Sequence, residues 1–247
     1  MRFTISCGTI LFSVLFHTGS AVAEVRLLTG DANQQIQPRS ANVLDLSGDG
    51  DLVLFSATPA VSPATTPGIA VGGLYIRKIS AGSLTFVAEN APNDGGHTEA
   101  SLSDDGRYLA WSTVNSTIYW RDVQSNITRK ITISPDGACR QPVISADGRY
   151  VAYLSLARNL ITDTSKLPPS GRAAVFVYDN QTQTTTIGSL APGNAALTGG
   201  GVGASSNPLN SFDFSANGQF LVYATEAPNS HPDRSTMSLV VRISQID

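Results

Sequence analysis

The sequence predicts an all-β protein, a β-propeller of about four four-stranded blades. Three observations carry that prediction. A twelve-residue phrase recurs four times along the 247-residue chain. A second phrase, strand then polar turn, follows each copy. Charged residues make up only 14% of the chain while Ser, Thr, Asn, Gln and Gly are abundant, which fits an exported β protein and not a long helical one.

The first 23 residues come before the repeats and read differently. A single early positive charge at Arg2, an apolar stretch centred on 10–16 and the small tripeptide Ala21-Val22-Ala23 make a secretory signal peptide over 1–23, with cleavage expected before Glu24. The apolar stretch falls short of the roughly 20 residues that a membrane-spanning helix needs. The mature chain, 24–247, is therefore expected to be exported, periplasmic or secreted, with no membrane span. Cys7 lies ahead of the apolar stretch, not behind it as in a lipoprotein, and its loss leaves Cys139 without a disulfide partner. Removing Arg2 leaves 15 basic against 19 acidic residues, a net charge of −4, with no basic run longer than Arg129-Lys130. Nucleic acid is a poor partner for that surface.

The four copies of the first phrase are LSGDGDLVLFSA from Leu46, LSDDGRYLAWST from Leu102, ISADGRYVAYLS from Ile144 and FSANGQFLVYAT from Phe214. Each places Ser-x-Asp/Asn-Gly between two apolar segments, a hairpin signal in which Gly takes the backbone angles that the turn requires. The segment after the turn, such as Tyr150-Val151-Ala152-Tyr153, is apolar at every position. A strand buried on both faces reads this way, so each sheet is expected to lie between two others.

The second phrase is LYIRKISAGSLTFVAE from Leu74, TIYWRDVQSNITRKIT from Thr117, VFVYDNQTQTTTIGS from Val175 and LVVRISQID from Leu239. Two hairpins in series make a four-stranded unit. Ser47, Ser103, Ser145 and Ser215 are 56, 42 and 70 residues apart, and the excess is assigned to 58–73 and 156–173, so loops lengthen on one face. Four-stranded units repeating at this period are propeller blades, here expected at about 40–90, 96–134, 140–190 and 208–247.

Ser-x-Asp-Gly-Arg-Tyr-Val-Ala-Tyr, followed by Val-Phe-Val-Tyr-Asp-x-x-Thr-x-x-Thr-Thr over 175–186, resembles the TolB-like, WD40-like repeat of exported bacterial propellers. The resemblance covers most of the mature chain, strongest in blades two and three, and implies that the Asp-Gly turn is structural. The last blade stops where a fourth strand is due. Residues 25–29 read as a strand without a blade, so one expected closure pairs them antiparallel with 239–243 and removes two open edges. The other expectation is a partial or truncated propeller.

The search for chemistry assigns no catalytic, cofactor-binding or metal residue. The mature chain has two histidines, His97 and His231, both in loop-like stretches, and no Gly-x-Ser-x-Gly. Asp45, Asp49 and Asp51 carry oxygens at short spacing, as does Asp104-Asp105, without the full calcium-loop pattern. Asp49 and Asp105 are read as turn residues, and calcium at Asp45 and Asp51 is kept as a hypothesis. The run TGGGVGASSN, 198–207, lacks the Lys of a phosphate loop and is read as a flexible loop. Asn115, Asn126 and Asn180 begin sequons explained by turn composition. Of Tyr108, Trp111, Tyr119 and Trp120, most are expected in the core between blades, with one or two free to face a channel mouth.

The function expected from these observations is a non-catalytic binding module acting on a protein or a cell-envelope polymer through the loops between strands. The alternative is an enzyme with its site in the propeller channel, of the polysaccharide lyase or hydrolase type. A gating propeller of a prolyl oligopeptidase-type peptidase would need a hydrolase domain after it.

Overall fold

A computed structural model describes residues 11–14, 24–27, 40–58, 72–89, 99–113, 115–202, 212–215, 218–231 and 240–246. The chain forms two compact units, Met1–Thr98 and Glu99–Asp247.

In the first unit, β1 (Leu11–Val14) pairs antiparallel with β2 (Glu24–Leu27). The strands β3 (Ser40–Leu46), β4 (Leu52–Thr58), β5 (Gly73–Lys78) and β6 (Ser83–Glu89) form a four-stranded antiparallel meander in chain order. Phe55 stacks on Tyr75 at 5.7 Å between ring centroids, and both are buried.

The second unit carries three sheets. The strands β7 (Ala100–Leu102), β8 (Tyr108–Ser112), β9 (Ile118–Asp122) and β10 (Ile127–Lys130) form one meander. A second comprises β11 (Cys139–Ile144), β12 (Tyr150–Ser155), β13 (Ala174–Asp179) and β14 (Thr184–Ile187). The last sheet has three strands among the described residues, β15 (Phe212–Phe214), β16 (Phe220–Thr225) and β17 (Val240–Gln245). The expected pairing of 25–29 with 239–243 belongs to the mature chain, from which 11–14 are expected to be removed, and would join the two units. Residues 24–27 take 11–14 as their partner, in register from Leu11 opposite Leu27 to Val14 opposite Glu24. Residues 28, 29 and 239 lie outside the described residues.

The repeated phrase makes the same turn in each blade. Ser145 N–H donates to Tyr150 O (2.9 Å), Tyr150 N–H donates to Ser145 Oγ (3.0 Å), and Ser145 Oγ–H donates to Asp147 Oδ1 (2.6 Å). Asp147 Oδ1 also accepts from Arg149 N–H (3.0 Å), and Gly148 N–H closes a turn on Ser145 O (2.9 Å). Ser103 with Asp105 and Ser47 with Asp49 repeat the set. In the last blade Ser215 Oγ accepts from Phe220 N–H at 3.0 Å; Asn217 lies outside the described residues. The glycine of each turn, at 50, 106, 148 and 218, has φ between 67° and 75°, the left-handed region that Gly alone enters freely.

All six residues of β12 are buried, as its unbroken apolar run requires. Val151 and Tyr153 pack with Ala110, Ile118 and Trp120 of the preceding blade. Tyr150, Ala152 and Leu154 pack with Phe212, Leu221 and Tyr223 of the following one. Each large side chain so enclosed contributes about 1.5–3 kcal/mol of transfer free energy, and these contacts replace the missing disulfide. Directed bonds tie the same blades: Trp120 Nε1–H donates to Gly148 O (3.0 Å), and Arg129 Nη1 donates to Asn180 Oδ1 (2.9 Å). Tyr108 and Trp120 stack at 5.4 Å in that seam, so these two aromatics of the second blade are core. Trp111 is buried and stacks on half-buried Tyr119.

Gly148 serves the turn and the seam together. A Cβ there would lie 2.0 Å from Tyr108 Cδ2, whereas at Gly50 a Cβ would meet nothing within 4 Å at nearly the same φ. Gly50→Ala is therefore expected to cost about 1–2 kcal/mol, the left-handed backbone penalty alone. Gly148→Ala should cost at least about 2 kcal/mol more through overpacking. Urea denaturation of the two variants measures the difference.

Candidate functional site

The meander topology sorts every connection to one of two ends of a blade. The Ser-x-Asp-Gly turns and the turns between third and fourth strands share one end. In the second unit the described connections 131–138, 156–173 and 188–202 leave from the other.

The turn end uses up its own charges. Arg149 donates through Nε and Nη2 to Asp179 Oδ1 and Oδ2 (3.1 and 2.8 Å), with its guanidinium 4.6 Å from the centroid of the Tyr150 ring. Arg107 makes the same fork on Asp122 and lies 4.8 Å from the Tyr108 ring centroid. The first blade inverts the charges: Asp51 stands where the arginines stand, and Lys78 where Asp122 and Asp179 stand, 3.9 Å apart. Hydrogen bonds from the arginines hold the Asp122 and Asp179 carboxyls below the usual carboxylate range.

The acidic residues considered for calcium are accounted for in the same way. Asp51 Oδ1 and Oδ2 accept from Ser80 N–H and Oγ–H, each at 2.7 Å, and those bonds lower its pKa. Asp49 Oδ1 accepts from Ser47 Oγ–H and Asp51 N–H, and Asp45 Oδ1 accepts from Leu46 N–H. Asp105 accepts from Ser103 and Arg107. Among the described residues no group of three or more His, Cys, Asp or Glu side chains is placed to hold a metal ion. Asn126 and Asn180 accept from Arg121 and Arg129, which fits their reading as turn residues.

The loop end is irregular and built. Asp136 Oδ1 accepts from Arg158 N–H (2.6 Å), and Asn159 Nδ2 donates to Ser134 O (3.0 Å), joining the connections 131–138 and 156–173. Lys166 Nζ reaches Asn194 O (2.7 Å). The connection after β14 folds back on itself where Ala191 N–H donates to Ala195 O (2.9 Å), across Gly193 and Asn194, two successive left-handed residues. Asn229, in the connection after β16, accepts from Thr198 N–H and donates to Ala196 O, both at 2.8 Å.

The Gly-rich run is corrected over its described part, 198–202. It is a packed segment, not a flexible loop. Val202 is buried, pairs with Thr225 and donates its N–H to Ala173 O (3.0 Å). A Cβ at Gly200 would lie 2.7 Å from Ala227 N, and one at Gly201 would lie 2.7 Å from Ala173 O. The glycines are there because backbone passes against backbone. Residues 203–207 lie outside the described residues, as does His97.

Among the described residues these connections border an open surface depression lined by Ala191, Pro192, Ala195, Pro228 and His231 among others. His231 was singled out in the sequence; the prolines were not. The signals for them were the Pro192-Gly193-Asn194 turn sequence and the 70-residue spacing from Ser145 to Ser215, whose excess lies partly after β14.

No protein-family model matches the chain, and no curated protein matches it. Solved structures do. A putative TolB from Agrobacterium tumefaciens matches with a TM-score of 0.53 at 15% identity, over 96% of this chain and 70% of that one. The fold is a β-propeller. An oligogalacturonate lyase from Vibrio parahaemolyticus matches with a TM-score of 0.50 at 12% identity, over 96% of this chain and 59% of that one. A puromycin hydrolase matches with a TM-score of 0.53 at 14% identity, over 90% of this chain and 28% of that one. The propeller fold is thus shared with a TolB and with enzymes, and it does not by itself choose between binding and catalysis.

Two measurements check the site. A group whose pKa is lowered by folding stabilises the fold above its unfolded pKa, near 4, and that stability is lost as pH falls toward the folded value. Asp122→Asn is accordingly expected to lower the melting temperature by a few degrees at neutral pH, with the difference from the parent protein shrinking as the pH falls below about 4 and vanishing only near the strongly lowered pKa of Asp122. Excess calcium is expected to leave the melting temperature where a chelator leaves it, since a bound ion would raise it.

Proposed function

We propose that the protein is an exported, periplasmic or secreted, non-catalytic binding module that presents its loop end to a partner, a protein or a cell-envelope polymer. The observation that carries this reading is the asymmetry of the two ends. The turn end repeats one self-satisfied arrangement, whereas the described connections of the loop end differ from one another and are joined by side-chain bonds. Loops fixed on a rigid scaffold are where propellers and other β folds place recognition. The leader over 1–23 supplies the address.

The test is capture from envelope extract with the mature chain, beside a variant whose residues 191–195 are replaced by a short glycine-serine turn. A specific partner recovered by the parent and lost by the variant is expected. Equal recovery by both, or turnover of an oligogalacturonate or another polysaccharide without any partner, overturns the reading.

A further inference from the structure

We draw no further inference here: the strongest candidate, the outer edge of β17 in the last sheet, has no strand beside it among the described residues, and nothing in the structure shows what covers it.

Discussion

The fold depends on one serine hydroxyl used in both directions. In each Ser-x-Asp-Gly turn the serine Oγ accepts from the backbone N–H five residues on, and in the first three it donates to the aspartate two residues on. The hydroxyl thus stands in for a backbone carbonyl at the point where the first strand ends and the second begins. It is buried in the first three turns, with Ser103 and Ser145 fully enclosed, so losing it there would leave an N–H unsatisfied away from water, at about 1–3 kcal/mol. The second strand starts in a fixed register because of it, and a register error of one residue would move every side chain to the opposite face.

Register matters here more than in a sheet with one wet face. The strand after each turn is apolar throughout, and its alternate side chains feed two different cores, as Tyr153 and Ala152 do on either side of β12. The turn is also a packing surface. Gly148 offers its carbonyl to Trp120 and its missing side chain to Tyr108, so one residue couples the geometry of its own hairpin to the seam with the blade before. The arginine that follows the turn then clamps the third strand through Asp179 and covers the Tyr150 ring. That arrangement tolerates exchange of the charges, as Asp51 and Lys78 show, since an ion pair at a partly exposed position requires complementarity and not a particular sign.

The loop end follows a different rule. Among the described residues, contacts there are made between connections far apart in sequence, such as Lys166 with Asn194 and Asn229 with Thr198. A Gly-rich run in isolation signals flexibility. In the fold, Gly200 and Gly201 are small because the backbones of Ala227 and Ala173 pass against them. Asp51 is similar: its neighbours in sequence are the oxygens of a possible cation site, while its neighbours in space are the donors of Ser80.

The sequence by itself determined the all-β class, the repeat, the four turns and the strand buried on both faces, because each of these is a local pattern of a few residues repeated in register. It also marked Asp147 as a turn residue through the Asn at the matching position, 217. Only the tertiary structure decided the packing of 198–202 and the meeting of the connections after β14 and β16 through Asn229. Those depend on which backbones meet, and such meetings are fixed by the whole set of contacts, not by the residues on either side of them.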